Sequence, residues 1–450
     1  MKIIVVGCGK VGATIAAELY QEGHDITVID QDHEVLKTIT ESIDVMSVEG
    51  NGAIYKVQME ADIKNADLLI ATTNSDELNI LCCLIAKKAG NCHTIARIRN
   101  PEYAEEVSHI REELNLSLAI NPELAAAREI ARLLQFPSAI KIDTFAKGRV
   151  EIMKFQIPQH SILHNMKVYE VMPKTRCKVL MCVVERGDQV VIPNGNFQLC
   201  SGDRVSFIGS PSESNKFFRE VGIVNNSAKS VMMIGGSKIT YYLAKMLEDS
   251  PIKITIIERK QENCDFLSKE LTHAMIIYGD ASDQQLLMEE GLRQTEAFAA
   301  LTGFDEENIM LSLYAARQTK AKLITKVNRI SFEEVINSLD LGSVINPKLI
   351  TADLILQYVR AMQNSLGSNV ETLYKLSNHV EALEFRVGKD FPMAGVPLEK
   401  MSLKPNLIVA CINRNGRIIT PGGKDTIEAK DTVIIVTTNT GLNDLKDILK

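Results

Sequence analysis

Long hydrophobic runs are missing from this chain of 450 residues. No window approaches the roughly 20 consecutive apolar residues of a membrane span, and the apolar start from Met1 to Val6 is far shorter than the core of a secretion signal. The nine cysteines are an odd number and include no C-x-x-C pair, which disfavours a disulfide framework or a zinc site. We therefore expect a soluble cytoplasmic protein without a metal site, which can still sit against a membrane partner.

An excess of basic charge is also missing. The chain has 50 lysines and arginines against 57 aspartates and glutamates, for a net charge of −7. A nucleic-acid-binding protein needs a basic surface that displaces counterions, so we expect no nucleic-acid partner. Hydrophobic residues make up 45% and charged residues 24% of the sequence, as in ordinary globular proteins. At roughly 100–200 residues per domain, the length predicts three or four domains.

What the chain does contain is an internal repeat, in which residues 1–120 and 229–345 follow the same pattern. In each copy an apolar strand leads into a glycine turn and a helix, and the next strand ends in an acidic residue. The matched strands are Lys2–Val6 with Ser230–Ile234, and Ile26–Asp30 with Ile254–Glu258. Strands that alternate with helices in this way predict parallel βαβ units.

A helix opened by the same Asn-Pro pair follows each copy, at residues 121–122 and 346–347. Asparagine is a good N-cap and proline suits the first helical position. A short β-rich segment comes next, and it is also duplicated, because Asp203 and Asp431 occupy the same place before a final strand.

The predicted fold class is therefore α/β, with two Rossmann-like, doubly wound parallel-sheet lobes, each followed by a small α+β lobe. We expect boundaries near residue 138, near residues 225–227 and around residues 363–368. The four predicted segments are 1–138, 139–225, 228–362 and 369–450.

The first copy carries a dinucleotide-binding motif. Its G-x-G-x-x-G string consists of Gly7, Cys8, Gly9, Lys10, Val11 and Gly12. The string follows an apolar strand and precedes a helix predicted from Ala13 to Tyr20, a context far more specific than the string alone. Gly7 allows the tight turn, Gly9 lets the backbone approach a pyrophosphate, and Gly12 lets the helix pack against the strand. The helix N-terminus offers free N–H groups and a partial positive charge to phosphate.

Four further residues complete the predicted first site. Asp30 ends the second strand, where it can accept hydrogen bonds from ribose hydroxyls and would repel a 2′-phosphate, so NAD(H) is favoured over NADP(H). Thr72 and Thr73 follow the buried strand Leu68–Ala71, at the sheet edge where ligands of this fold bind. Arg97, at the end of the next strand, either reaches the phosphates or forms a surface ion pair.

The second copy of the motif is altered. Gly235 keeps the first glycine, but Ser237 and Thr240 replace the second and third. A serine side chain crowds the approach of a pyrophosphate, and we expect Thr240 to loosen the packing of the helix on the strand. Glu258 still stands where a ribose-binding acid belongs. Two interpretations stay open: Gly235, Ser237 and Glu258 contact a nucleotide, or the second lobe is purely structural.

The arrangement resembles the TrkA regulatory subunits of bacterial Trk potassium uptake systems. The resemblance rests on the opening segment Met1–Gly12, on Asp30, on Arg97-Ile98-Arg99-Asn100, and on the doubled order of a nucleotide-binding unit and a small β unit. It covers essentially the whole chain. In that family the units are called RCK or KTN domains, each with an N lobe and a C lobe.

The resemblance implies a gating ring. Such subunits assemble, usually as tetramers, beneath a membrane potassium-translocating subunit such as TrkH, at the inner face of the cell membrane. NAD(H) and the adenine nucleotides ATP and ADP are the ligands associated with the family. By family correspondence Gly7–Val11, Asp30, Thr72, Thr73 and Arg97 look like the contacts of the first nucleotide, and Lys10 stands where a residue often reaches a terminal phosphate.

Two other functions remain as alternatives. One is an NAD-dependent oxidoreductase built of fused Rossmann units, which needs an acid or base near the nicotinamide. His160 and His164 are expected to face solvent, residues 380–450 contain no histidine, and no Walker lysine, G-x-S-x-G or H-E-x-x-H motif occurs. We therefore expect no catalytic residues. The other is a regulatory subunit for a different channel or exchanger.

Overall fold

The computed structural model describes residues 1–110, 113–114, 116–187, 189–223, 227–328, 336, 339–364, 370–377, 380–439, 441–442 and 444–450. The predicted boundaries at residues 225–226 and 365–368 lie outside this part of the chain. The structure divides into two compact units. One is formed mainly by Met1–Arg128 and Ile345–Leu356, and the other mainly by Glu129–Lys326 and Gln357–Lys450.

The first sheet is parallel and has the strand order β3-β2-β1-β4-β5-β6. Its strands are β1 (Lys2–Val6), β2 (Asp25–Asp30), β3 (Met46–Glu49), β4 (Leu68–Ala71), β5 (His93–Arg97) and β6 (Leu118–Ile120). The helices are α1 (Lys10–Gln21), α2 (His33–Ser42), α3 (Tyr55–Glu60), α4 (Asp76–Ala89), α5 (Pro101–Ile110) and α6 (Pro122–Gln135). The strand order reverses between β1 and β4, and ligands of doubly wound folds bind outside the carboxyl ends of the strands at such a point.

Most predicted elements of this sheet are confirmed, with shifts at their ends. The strands predicted at residues 2–6, 68–71 and 93–97 have those bounds. Helix α1 begins at Lys10 instead of Ala13, so the second half of the glycine string is helical. Cys82 and Cys83 are buried in α4 and belong to the hydrophobic core.

The second sheet is antiparallel, in the order β10-β9-β11-β8-β7. It contains β7 (Ala139–Phe145), β8 (Val150–Gln156), β9 (Leu180–Arg186), β10 (Gln189–Val191) and β11 (Arg204–Gly209), with helices α7 (Val168–Thr175) and α8 (Pro211–Glu220). His160 and His164 lie in the turns after β8 and are exposed, as predicted.

The third sheet repeats the first, in the order β14-β13-β12-β15-β16-β17. Its strands are β12 (Ser230–Ile234), β13 (Lys253–Glu258), β14 (Ala274–Tyr278), β15 (Ala297–Ala300), β16 (Lys322–Lys326) and β17 (Ser343–Ile345). The helices are α9 (Lys238–Leu247), α10 (Gln261–Glu270), α11 (Gln284–Glu289), α12 (Asp305–Gln318) and α13 (Pro347–Asn364). The fold class predicted from the duplicated pattern is thereby confirmed for both parallel-sheet lobes.

The fourth sheet repeats the second, in the order β18-β19-β22-β20-β21. It consists of β18 (Val370–Ser377), β19 (Val380–Arg386), β20 (Leu407–Arg414), β21 (Arg417–Ile419) and β22 (Thr432–Thr437). Short 3-10 helices occupy Ile63–Asn65, Ala146–Gly148, Leu398–Lys400 and Leu445–Ile448.

An arginine–aspartate pair marks the same turn in both antiparallel lobes. Arg186 donates to buried Asp203 at 2.7 Å through both Nε and Nη2. Arg414 does the same to buried Asp431, at 3.0 Å through Nε and 2.8 Å through Nη2. A planar guanidinium matches a carboxylate in this two-bond geometry. The predicted correspondence of Asp203 with Asp431 is therefore confirmed, and each aspartate forms the same two-bond pair with an arginine.

The Asn-Pro pairs cap helices α6 and α13, as predicted. The Asn121 side-chain oxygen accepts from the Leu124 N–H at 2.9 Å, and that of Asn346 accepts from the Lys348 N–H at 3.1 Å. In the part of the chain that the structure describes, no helix combines the length and apolar character needed to cross a bilayer.

Candidate functional site

The glycine loop between β1 and α1 owes its shape to two of its three glycines. Gly7 has a φ of +84°, and a Cβ there would lie 2.6 Å from the Thr73 backbone nitrogen. A Cβ on Gly12 would lie 2.0 Å from the Gly7 carbonyl oxygen. Both positions therefore exclude a side chain on steric grounds, the reasons the sequence predicts for them. The loop brings the backbone of the first helical turn to the carboxyl edge of the sheet.

Gly9 differs from the other two glycines because its surroundings are open. Its φ is −59°, an ordinary value, and apart from its chain neighbours no atom of the described residues lies within 4 Å of the place a Cβ would take. Gly9 is the N-cap of α1, and no side chain caps the helix there. The N–H groups of the first turn thus remain available to an anion. Lys10 is exposed at the first helical position, next to Val11.

Asp30 is already held against the glycine loop. One of its carboxylate oxygens accepts from the Cys8 N–H at 2.6 Å, and the other accepts from the Asp32 N–H at 3.0 Å. An ionised carboxylate has about four acceptor positions, so two bonds leave capacity for ribose hydroxyls. Cys8 points its thiol under the loop toward the Ile29 carbonyl. Burial and the nearby Asp30 raise the pKa of that thiol to about 12, so the thiol stays protonated at neutral pH.

Thr72 and Thr73 lie beside the loop, but their hydroxyls are engaged within the protein. The Thr72 hydroxyl donates to the Gly7 carbonyl at 2.8 Å. That of Thr73 donates to the Asn79 side-chain oxygen at 2.7 Å. The two threonines therefore offer a nucleotide their backbone and the surface of their side chains, with the hydroxyls holding the loops in place.

Arg97 sits at the same edge, at the end of β5, and is buried. One guanidinium nitrogen, Nη2, donates to the Thr73 carbonyl at 2.7 Å. Burial, and then the neighbouring Arg99, lower the pKa of Arg97. The alternative of a surface ion pair does not apply, because the described residues provide no carboxylate within ion-pair distance of Arg97. The carboxylates of Glu123 and Asp76 act on Arg97 from a longer distance and oppose the lowering of its pKa. A buried guanidinium whose hydrogen bond among the described residues goes to a neutral carbonyl is well suited to an incoming phosphate.

Asn79 is the site residue whose structural role the sequence did not reveal. It is fully buried in α4, where its oxygen accepts from the Thr73 N–H at 2.7 Å and its Nδ2 donates to the Arg97 carbonyl at 2.8 Å. Asn308 repeats these contacts with Thr302 and Lys326 in the second copy. The signal was the duplication itself, since an asparagine stands at the same place in both sequence repeats.

The second lobe closes its glycine loop differently. Gly235 has a φ of +96°, like Gly7. Thr240 is fully buried, and its hydroxyl donates to the Gly235 carbonyl at 2.5 Å. The expectation that Thr240 loosens the helix is therefore wrong, because its hydroxyl fills the space and satisfies the carbonyl that Thr72 satisfies in the first lobe. Buried Leu301 stands in the place of Thr72, since its N–H donates to the Ile234 carbonyl as that of Thr72 donates to the Val6 carbonyl.

Ser237 turns back onto its own helix. It is the N-cap of α9, and its hydroxyl accepts from the Thr240 N–H at 3.4 Å. Part of the anion-binding end of this helix is thus satisfied internally, in contrast to the uncapped α1. Glu258 makes the same contacts as Asp30, since its carboxylate accepts from the N–H groups of Gly236 and Lys260. A cavity of about 180 Å³ lies over these residues.

The structure therefore collects the predicted residues into two sites. Those of the first copy meet at the carboxyl edge of the first sheet, and Gly235, Ser237 and Glu258 meet at the equivalent edge of the third sheet. Among the described residues no group of histidine, cysteine, aspartate or glutamate side chains has the geometry of a metal site.

Two parallel sheets with a glycine loop at the reversal of strand order, each followed by an antiparallel lobe, define a tandem protein of the dinucleotide-binding class. The TrkA-N domain family matches residues 3–122 and 231–347. The TrkA-C domain family matches residues 152–222 and 382–450. The chain belongs to the TrkA family, with both domains present twice.

Relatives of known name match along nearly the full length. A Trk system potassium uptake protein TrkA homolog of Archaeoglobus fulgidus is 30% identical over 437 residues, covering 97% of each chain. The Trk system potassium uptake protein TrkA of Haemophilus influenzae is 30% identical over 442 residues, covering 97% of this chain and 95% of the relative.

Solved structures share the fold. The GsuK RCK domain superposes with a TM-score of 0.64 at 16% identity, covering 97% of this chain and 92% of that one. The GsuK channel bound to NAD gives a TM-score of 0.62 at 17% identity, covering 97% of this chain and 77% of that one.

Proposed function

We propose that the protein is a nucleotide-sensing regulatory subunit of a Trk-type potassium uptake system. The observation that carries the proposal is the first glycine loop, where an uncapped helix N-terminus, an open Gly9 and a carboxylate held on the loop meet at one sheet edge. These are the groups that a dinucleotide needs for its pyrophosphate and its ribose.

The nucleotide we propose for this site is NAD(H), with ATP or ADP as the alternative. Asp30 favours a free ribose over a 2′-phosphate, and Arg97 supplies a buried positive charge for the phosphates. Gly7 to Gly12 form the cradle, and Thr72 and Thr73 form its wall. Structures of the fold-related GsuK are described as bound to NAD and to ADP, which supports both ligand classes.

The second lobe is proposed as a weaker or empty site. Ser237 occupies an N–H group that Gly9 leaves free, while Glu258 and the cavity beside it are retained. We also propose the four-part division into residues 1–138, 139–225, 228–362 and 369–450. The matched domain families fall inside these segments.

The proposed partner is a membrane potassium-translocating subunit of the TrkH kind, contacted from the cytoplasmic face by a homo-oligomer, with a tetramer as the expected state. The relatives are named for potassium uptake. A nucleotide can act on such a partner only through a difference in its affinity for two conformations of the ring.

No catalytic role is proposed. An oxidoreductase would consume NADH with a small substrate, whereas a sensor binds it unchanged, so turnover assays separate the two. Co-purification with a membrane partner distinguishes a Trk subunit from a regulator of another channel or exchanger.

The experiment that tests the proposal is calorimetric titration of the full chain with NADH, NAD, ATP and ADP in turn. We expect saturable binding at about one site per chain. Gly9→Asp should abolish it, because a carboxylate there would occupy the pyrophosphate position and repel the negatively charged phosphates. Lack of binding by all four nucleotides would overturn the sensor function and leave only the fold.

A further inference from the structure

A second polar cleft lies at the opposite edge of the third sheet, at the amino ends of its strands. Two adjoining cavities of about 530 and 840 Å³ share a wall formed by the end of α12 and the start of β16. Lys229 precedes β12, Glu296 precedes β15, and Lys322 begins β16. Pro137 and Ser138, between α6 and β7, close one side. The cleft is separate from the nucleotide site, which occupies the carboxyl edge.

The lining of the cleft is strongly basic in a chain of net charge −7. The lining carries five basic side chains and two carboxylates. The basic residues are Lys229, Arg293, Arg317, Lys320 and Lys322, and the acidic residues are Glu296 and Asp340. Within the described part of the chain, none of these cations forms an ion pair, and Glu296 instead accepts from the Lys229 backbone N–H at 2.8 Å. Unneutralised positive charge is thus concentrated in a concave surface, which focuses the field on an incoming anion.

Lys322 is the most constrained of these cations. Its ammonium donates to the Ala139 carbonyl oxygen, which is the sole acceptor the described residues offer to its three N–H groups. The residue as a whole keeps intermediate exposure, yet its ammonium lies deep enough that burial lowers the pKa of Lys322 to about 7. An enclosed ammonium without a counter-charge is costly, and a bound anion would remove that cost.

We propose that this cleft binds a phosphate-bearing anion, clamped between Lys229 and Lys320 at its mouth and Lys322 at its base. Lysine and arginine are the usual ligands of phosphate groups in proteins. The same chemistry is offered by a free phosphorylated metabolite and by the headgroup of an anionic lipid. The site would give the second lobe a ligand that does not depend on its altered glycine loop.

Inorganic pyrophosphate is the probe for the first arm of the test, titrated calorimetrically into the full chain. Lys229 and Lys320 are exposed, so the double variant Lys229→Gln/Lys320→Gln should fold normally. We expect saturable binding that weakens by about tenfold or more in the double variant, since two charged contacts are lost. Lys389→Gln is the matched control on another lobe, because Lys389 is exposed and forms no ion pair with the residues that the structure describes. This variant should bind like the unaltered protein.

The second arm uses vesicles of phosphatidylglycerol, with phosphatidylcholine vesicles for comparison. Flotation that requires both phosphatidylglycerol and the two lysines would identify a lipid headgroup as the source of the phosphate, whereas pyrophosphate binding without flotation would identify a free ligand. Gly9→Asp and Ser237→Asp place a carboxylate in each glycine loop and should leave pyrophosphate binding in the cleft intact. Three results would overturn the proposal. They are a lack of binding in both arms, an unchanged affinity in the double variant, and a loss of pyrophosphate binding in the loop variants.

Discussion

Replacing Gly9 by alanine should separate ligand binding from stability in the first lobe. In the part of the chain that the structure describes, the added methyl group meets no atom within 4 Å beyond the neighbouring residues, and the φ of −59° suits alanine. Alanine is a poorer N-cap than glycine, but it also restricts the unfolded chain, and the two effects oppose each other at about 0.5–1 kcal/mol each. We therefore expect the midpoint of chemical unfolding to change little.

The affinity for NADH should fall sharply in the same variant. The methyl group would stand over the uncapped first turn of α1, where a pyrophosphate must come within hydrogen-bond distance of the backbone. Pushing the phosphate off one or two charge-assisted bonds costs about 2–3 kcal/mol, which is about a 30- to 150-fold rise in the dissociation constant. Calorimetric titration of NADH measures this directly, with Gly195→Ala in the β-rich lobe as a matched glycine control.

Gly12→Ala provides the opposite case. Its methyl group would lie 2.0 Å from the Gly7 carbonyl oxygen and 2.8 Å from the Thr72 hydroxyl, so the loop or the helix must move. Overpacking of this kind costs about 1–3 kcal/mol, and unfolding should begin at lower denaturant. An unchanged NADH dissociation constant in Gly9→Ala would refute the placement of the pyrophosphate, and a normally stable Gly12→Ala would refute the close packing of α1 on the loop.

Three further outcomes are expected. Asp30→Ala should raise the dissociation constant for NADH about tenfold or more, since ribose bonds and the support of the Cys8 N–H are both lost; titration giving the unaltered value would remove Asp30 from the site. Ser237→Gly should free the Thr240 N–H and raise the number of nucleotides bound per chain, and an unchanged stoichiometry would mean that another group closes the second site. Because burial lowers the pKa of Lys322 to about 7, the unfolded chain holds a proton that the folded chain lacks above that pH, so stability should rise between pH 7 and 10 relative to Lys322→Met. Denaturant unfolding at pH 6.5 and 9.5 checks this, and parallel pH profiles for the two proteins would contradict it.

The periodic features of the chain were predictable because burial imposes them. Strand β4 is apolar throughout, and β1 is apolar and buried after the exposed Lys2, since both faces of a parallel sheet are covered. Because the same pattern of strands and helices occurs in both sequence repeats, it predicted two parallel-sheet lobes of the same kind. The two sheets do have the same strand order. The carboxylate at the end of the second strand was placed correctly for the same reason, in Asp30 and again in Glu258.

Side-chain partners across the loops were not predictable. The sequence places Thr72 and Thr73 near the ligand but does not show that their hydroxyls are already bonded to the protein. These bonds depend on where two distant loops meet, and residue spacing carries no such information. The role of Asn79 and the basic cleft at the amino edge of the third sheet are likewise products of the fold, since the residues that form them are far apart in the chain.

The altered glycine string of the second lobe shows why a lost motif does not imply a lost fold. In the first lobe a glycine at position 12 makes room for the Thr72 hydroxyl, which bonds the Gly7 carbonyl. In the second lobe the hydroxyl comes from Thr240 on the helix, and apolar Leu301 takes the place of the loop threonine. The buried glycine carbonyl accepts a hydroxyl hydrogen bond in both lobes. The requirement for a hydroxyl donor therefore applies jointly to the third position of the glycine motif and to the residue after the neighbouring strand. Among the described residues no comparable exchange accompanies Ser237, whose hydroxyl accepts from an N–H group that a phosphate would need. The fold can therefore persist in both lobes, in agreement with our proposal that a dinucleotide binds mainly in the first.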